Sequence, residues 1–135
     1  MRASAVVALA VAGLISLSCG GITDPSKNTV DTFSGTLTVG GPPGTHQFSA
    51  SKTGEIAVKV TALSPVSNTY VGLIWLQTQS DGNCFGNTLT LGQTVGQVNL
   101  TAISNAIASG RYCLIVYDAV GFTASENYTV TVSHP

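Results

Sequence analysis

Short stretches of alternating apolar and polar residues, separated by turn-forming residues, follow one another along most of this chain. A clear example lies near the C-terminus, where Tyr128, Val130 and Val132 alternate with Thr129 and Thr131. A period of two places successive side chains on opposite faces, so this stretch predicts a strand buried on one face. Beyond the apolar N-terminus, no long stretch has the period of an amphipathic helix, and the sequence therefore predicts an all-β protein.

The same pattern predicts about eight short antiparallel strands, which is typical of a β-sandwich with a jelly-roll-like arrangement. Two of them flank the turn SKTG and are expected to form a hairpin. Residues 102–110 are interpreted as the end of a strand followed by a loop. The predicted strands are residues 33–39, 46–50, 55–63, 70–78, 88–91, 98–103, 111–118 and 127–133, with a weaker one at Cys84 and Phe85.

The stretch YVGLIWLQT, residues 70–78, is apolar on both faces until Gln77. Such a strand either lies centrally with both faces covered, or has an outer face that meets a loop. Its Trp75 is expected in the core, as are Tyr112 and Tyr128, which alternate with aliphatic residues.

The N-terminus has the features of an export signal. Met1 and Arg2 precede an uncharged apolar run that ends in small residues. This order is typical of a secretory signal peptide, and the run is shorter than the ~20 residues of a membrane-spanning helix. Residues 1–18 are therefore predicted to be a signal peptide, and the protein is expected to be exported.

Cys19 follows the signal in SLSCGG, which resembles a bacterial lipobox, although Ser16 stands where such boxes prefer Leu. Ordinary signal peptidase is the alternative, because Ser16 and Ser18 also fit its small-residue rule. The chain has three cysteines, and lipidation of Cys19 would leave Cys84 and Cys113 as one pair. We therefore expect a lipid on Cys19 that attaches the protein to a membrane.

Residues 19–32 are polar and lack apolar periodicity, so they are predicted to be a flexible tether. The remaining residues, 33–135, are expected to form one β-sandwich domain. The chain has a formal net charge of −1 and only 8% charged residues. It has no basic patch to neutralise phosphates, so nucleic acid is not expected as a partner.

Cys84 and Cys113 are expected to form a structural disulfide, since an exported protein meets an oxidising compartment. A redox or metal site is the alternative, but the chain lacks a Cys-x-x-Cys motif and the further ligands that zinc requires.

No catalytic residues and no cofactor are predicted. His46 is interpreted as a polar residue at a strand edge, and His134 lies beside a C-terminus that is expected to fray. Asp81 and Asn83 have oxygens that could bind calcium, but they are interpreted as turn formers and no metal site is predicted. Among the aromatic residues, Tyr117 and Phe122 flank a loop and form the candidate binding surface.

Three segments resemble the bacterial pre-peptidase C-terminal domain family: THQFSASKTGEIAVKVTAL, GRYCLIVYDAVGF and the terminal NYTVTVSHP. This resemblance implies a jelly-roll-like sandwich whose relatives are usually appendages of secreted enzymes and surface proteins, with roles in binding, anchoring or secretion. Some relatives bind calcium through clustered carboxylates, and no such cluster can be matched here. Here the module is expected to stand alone behind its signal.

Taken together, these features favour a non-enzymatic lipoprotein of the cell envelope that binds or assembles through loops such as residues 40–45 and 118–125. The alternative is a carbohydrate-binding module, secreted or tethered. Gly20 follows the lipidated cysteine, which by resemblance to known sorting signals favours the outer membrane or cell surface. An envelope protein or a polysaccharide is the expected partner.

Overall fold

The computed structural model describes residues 25–78, 83–86 and 88–135. It confirms the all-β prediction, with a single turn of 3-10 helix at Pro25–Lys27 before the strands. Within the described residues, no helix is long and apolar enough to cross a bilayer. Eight strands follow: β1 Thr29–Leu37, β2 Gly44–Ala50, β3 Gly54–Ser64, β4 Val71–Thr78, β5 Thr88–Gly96, β6 Thr101–Ile107, β7 Gly110–Tyr117 and β8 Glu126–His134.

The strands form two four-stranded antiparallel sheets, ordered β1-β8-β3-β6 and β2-β7-β4-β5. We call them sheet A and sheet B. Consecutive strands of the chain mostly alternate between the sheets, which is the connectivity of a jelly roll built from two Greek keys. The predicted β-sandwich is thus confirmed.

The main core lies between the two sheets and is built from the inward-facing residues of every strand. Along β8, the buried Tyr128, Val130 and Val132 alternate with more exposed threonines, as the period of two predicted. Trp75 and Tyr112 are also buried in this core, which confirms the expectation for these aromatic residues. The core is therefore specified mainly by the alternation itself.

The outer face of β4 meets a loop, which is the second of the two alternatives for this apolar strand. Ile74 and Leu76 belong to a small cluster on the outer face of sheet B, together with Ile115 and the two half-cystines. Cys84, which follows β4 in the chain, packs in this cluster because the disulfide holds it against Cys113 of β7. A second apolar face is thereby removed from water.

The predicted hairpin between residues 46–50 and 55–63 is wrong. β2 pairs with β7 in sheet B, while β3 pairs with β8 and β6 in sheet A. The short turn crosses from one sheet to the other, and the Ser51 N–H donates to the carbonyl of Pro135 at 3.0 Å. Alternation shows which side chains face the core, but both sheets have such a face, so it does not identify the partner strand.

Several strand bounds also differ from the prediction. β1 begins at Thr29, within the segment assigned to the tether, and ends before Val39. β6 extends over residues 101–107, most of which were interpreted as a loop. Cys84 and Phe85 form a turn rather than a strand. The short polar segments around these residues contain too little periodicity to set an end point.

The C-terminus does not fray in this fold. His134 is the last residue of β8 and is 4% exposed, and its Nε2 lies 3.0 Å from Oδ2 of Asp31 on β1. Its Nδ1 is buried without a hydrogen-bond partner. Tertiary contacts with β1 and with Ser51 therefore anchor residues that sequence position alone marked as loose.

Candidate functional site

The two loops predicted to be presented lie at the same end of the sandwich. Successive strands run in opposite directions, so every second connection lies at this end. We call it the loop end, and it consists of residues 38–43, 65–70, 97–100 and 118–125. One cleft of about 260 Å³ lies between residues 38–43 and the pair Tyr117 and Asp118. A second cleft of about 220 Å³ lies between residues 65–70 and 118–125.

Asp118 organises the last of these loops. Its Oδ1 accepts hydrogen bonds from the N–H groups of Val120 and Gly121, and its Oδ2 accepts one from Phe122 at 2.6 Å. Desolvation raises the pKa of this carboxyl, but the three N–H donors outweigh it and the net direction is downward. Gly121 has a φ of 79°, which allows the loop to turn tightly around the carboxylate.

Glu126 organises the neighbouring loop, a role the sequence did not reveal. The residue is 2% exposed, and both of its carboxylate oxygens lie within hydrogen-bond distance of the Val66 N–H, at 3.0 and 3.3 Å. In the sequence it is one polar residue before a strand, and only its tertiary neighbours reveal the contact. It fixes residues 65–70 beside the second cleft.

The other two loops are held by backbone hydrogen bonds. The Gly41 N–H donates to the carbonyl of Thr38, next to Gly40 at a φ of 65°. The Asn99 N–H donates to the carbonyl of Val60 at 2.9 Å. Every loop at this end therefore has at least one bond that limits its freedom.

Tyr117 lies on the outer face of sheet B beside the first cleft and is half-buried. A Cβ on Gly72 would lie only 2.1, 2.3 and 2.5 Å from three ring atoms of Tyr117, so the face of the ring covers this glycine. Gln93 donates from Nε2 to the phenol oxygen at 2.6 Å. The ring is thus held flat across β4, in an orientation suited to stacking with a planar or ring-shaped ligand.

Phe122, the other residue of the candidate binding surface, is partly buried against the main core. The structure therefore brings the two residues to the same end but gives them different surroundings. The more exposed aromatic residues are Tyr70 at 43% and Phe85 at 70%, neither of which was selected from the sequence.

His46 lies on β2, an edge strand, which is where it was expected. Its ring stacks on Phe33, and its Nε2 is 2.7 Å from the hydroxyl of Tyr128. Burial lowers the pKa of His46 and raises the pKa of Tyr128, so both groups are neutral at pH 7. This neutral pair joins the two sheets at the β1–β2 side.

The predicted disulfide is confirmed, with the Cα atoms of Cys84 and Cys113 5.7 Å apart. Cys19 and Asp81 lie outside the described residues. Within those residues, no three His, Cys, Asp or Glu side chains are grouped as a metal site would require.

No protein-family model and no curated protein matches this chain. Among solved structures, it is similar to a mitogen derived from Yersinia pseudotuberculosis, with a TM-score of 0.51 and 15% identity over 80% of this chain and 87% of that chain. At this identity the likeness shows the fold alone.

Two further similar structures have lower scores. The pre-peptidase C-terminal domain of a collagenase from Bacillus anthracis has a TM-score of 0.47 and 18% identity, over 78% of this chain and 87% of that chain. The structure of infectious bursal disease virus Gt strain has a TM-score of 0.28 and 15% identity, over 96% of this chain and 38% of that chain. The family that the sequence resembles is thus among the similar structures, and membership of it stays a prediction.

Proposed function

We propose that this protein is a non-enzymatic module of the cell envelope that is tethered by a lipid on Cys19 and binds a partner through its loop end. One observation supports this most directly. Each of the four loops at that end presents a large apolar side chain to solvent, whereas loops are usually polar. These side chains are Val39, Val66, Tyr70, Leu100 and Val120, each between 43% and 57% exposed.

The direction of the chain supports the same arrangement. β1 begins at the end opposite the loop end, so a tether that precedes β1 leaves the loops accessible. The Asp118 and Glu126 contacts hold two of the loops in place before any partner arrives. Preorganisation of this kind reduces the entropy that binding costs.

Sedimentation of the full chain with isolated envelope fractions tests the binding role. The double variant Leu100→Asp/Val120→Asp is expected to lose saturable binding, because it places charges on two loop tips. Val30→Asp/Leu89→Asp is the matched control, since it changes exposed apolar residues away from the loop end. Equal binding by both variants would contradict the proposal.

The tether is tested separately by growing cells with a fatty-acid analogue. The label is expected on the wild-type protein and not on Cys19→Ala. If the wild-type protein is not labelled, it is a module released without a lipid, and the membrane-anchored part of the proposal is wrong.

Carbohydrate binding is the second candidate, and the seating of Tyr117 favours it. The ring is fixed over Gly72 next to a cleft that Thr38, Asp118 and the glycines and prolines of residues 40–43 line, and sugars stack on such rings. Affinity electrophoresis through gels containing soluble polysaccharides tests it. Tyr117→Ala is expected to abolish retardation, while Phe85→Ala, which removes an exposed aromatic residue at the opposite end of the sandwich, leaves it unchanged. A wild-type protein that no polysaccharide retards contradicts this candidate.

A further inference from the structure

The exposed apolar side chains are unevenly distributed over the sandwich. Of the nine large ones that the described residues expose, only Val30, Phe85 and Leu89 lie away from the loop end. Val95 lies at the end of β5 next to the loops, and the remainder are on the four loops themselves: Val39, Val66, Tyr70, Leu100 and Val120.

The loops hold these tips out from the body of the protein. The N–H of Val66 is bonded to Glu126, and the N–H of Val120 is bonded to Asp118. The N–H of Leu100 donates to the carbonyl of Gln97 at 3.2 Å within a turn that the Val60 carbonyl anchors. These bonds hold the backbone at three of the five tips, Val66, Leu100 and Val120.

The loop end also has almost no charge. Its four segments contain no Lys or Arg, and Asp118 is their one acidic residue. The carboxylate of Asp118 is already occupied by three N–H donors, and Glu126, which follows the last segment, is buried. A partner at this end therefore meets neutral side chains, with the apolar tips among them, rather than charges.

We infer that the loop end inserts its apolar tips into the surface of a neutral lipid bilayer. This inference rests on the proposed function and names the partner of the same site. A protein interface needs a continuous packed core, usually rich in aromatic residues and Arg. Here the tips are mostly single aliphatic side chains on separate loops, and clefts lie between those loops. A fluid bilayer accepts such separated tips one by one, and Tyr70 has the amphipathic ring that favours the interface.

Vesicles of phosphatidylcholine that contain nitroxide-labelled lipid provide the test. Leu100→Trp and Val120→Trp in the full chain place a reporter on two tips, and Val30→Trp places one at the opposite end. The native Trp75 is buried and gives a constant background. The tryptophan fluorescence of the two tip reporters is expected to be quenched by the nitroxide and to shift to shorter wavelength, whereas that of the reporter at position 30 is not. Both effects are expected to change little between low and high salt, because no charge takes part in the insertion. Because quenching depends on position, a lipid or signal segment at the N-terminus does not mimic it.

Each result is decisive for the inference. Tip reporters that are not quenched, or a reporter at position 30 that is quenched equally, would overturn it. If the tips do not enter vesicles but Leu100→Asp/Val120→Asp still abolishes envelope binding, the proposed function stands and its partner is a protein or polysaccharide. If neither assay responds to the tip substitutions, both proposals fail. Unfolding curves that match the wild type confirm that each variant is folded.

Discussion

Gly72 is the residue that lets Tyr117 lie flat on sheet B. Any side chain at this position would overlap three atoms of the ring. Since the phenol oxygen also receives a hydrogen bond from Gln93, the glycine and Gln93 together set the orientation of the Tyr117 ring near the loop end. The role of Gly72 is steric and depends on one neighbour.

Gly72→Ala is therefore expected to destabilise the protein by about 1–3 kcal/mol, the usual cost of overpacking. In a Tyr117→Ala background the same substitution is expected to be neutral or slightly stabilising, because Ala suits a strand better than Gly. Urea unfolding of the four proteins in this double-mutant cycle measures the difference. If Gly72→Ala lowers the free energy of unfolding equally in both backgrounds, the Tyr117 ring is not the cause of the destabilisation.

His46 gives the protein a dependence on pH. Burial lowers its pKa in the folded state below the ordinary value of 6.5, so the unfolded chain binds its proton more readily. The contribution of His46 to the free energy of unfolding is fully present above pH 6.5. It is lost as the pH falls from 6.5 through the pKa of His46 in the folded state. Asp118 also has a lowered pKa, and its contribution is lost only at more acidic pH, below its ordinary value of 3.8.

We expect urea unfolding at pH 5.0 to show lower stability than at pH 7.5, and His46→Gln to reduce that difference. Gln keeps a hydrogen-bonding group for Tyr128 but does not titrate. His134→Gln serves as a comparison, because it removes the other histidine of the chain. A pH dependence that His46→Gln leaves unchanged would assign the effect to another group.

At the scale of elements, the disulfide joins a loop to a strand and covers the outer face of β4. It closes a loop between residues separated by 29 positions. The same bond shields Ile74 and Leu76, so its removal affects both the unfolded chain and the packing of sheet B. β4 can therefore be apolar on both faces without exposing the outer one.

Cys84→Ala/Cys113→Ala is expected to lower the free energy of unfolding by about 3–4 kcal/mol in the chain-entropy model, and by more if the loop leaves the cluster. Calorimetry gives the melting temperature, and hydrogen exchange of β4 reports whether its outer face opens. Leu76→Ala, which keeps the disulfide, separates the loss of packing from the loss of the cross-link. A double variant as stable as the wild type would show that the bond contributes nothing.

At the scale of the whole molecule, the C-terminal strand connects distant parts of the chain. β8 lies between β1 and β3, and its last residues contact Asp31 and Ser51. Most strand pairs join residues far apart in sequence, so the sheets depend on contacts between distant parts of the chain.

Deleting His134 and Pro135 is expected to destabilise the fold by roughly 2–4 kcal/mol, because two tertiary hydrogen bonds and a buried ring are lost. Urea unfolding measures the change. Pro135→Ala keeps the carbonyl that accepts from Ser51 and is expected to cost little. If the deletion were equally harmless, the end of the chain would not be an anchored part of the sandwich.

The β class, most of the core and the disulfide partners could be predicted from local sequence features. Alternation is a local property, so Val130 and Val132 are recognisable as buried wherever their strand pairs. Cys84 and Cys113 followed from the number of cysteines and the compartment. The turn residues predicted loops at 40–45 and 118–125, although the first connection is residues 38–43, because β2 already begins at Gly44. That the two loops share one end could not be predicted.

The identity of neighbouring strands and of the side chains that meet depends on the packing of the two sheets. The prediction that β2 and β3 form a hairpin was wrong, because a short turn can connect two strands of one sheet or two strands of different sheets. Glu126 with Val66, Gly72 with Tyr117 and His134 with Asp31 each join residues distant in the chain. The apolar tips are far apart in sequence. They lie at one end of the sandwich because successive strands run in opposite directions, which places every second connection at the same end. Such contacts depend on how the two sheets pack against each other. The periodicity of a strand shows which of its side chains are buried but does not identify the strand that it pairs with.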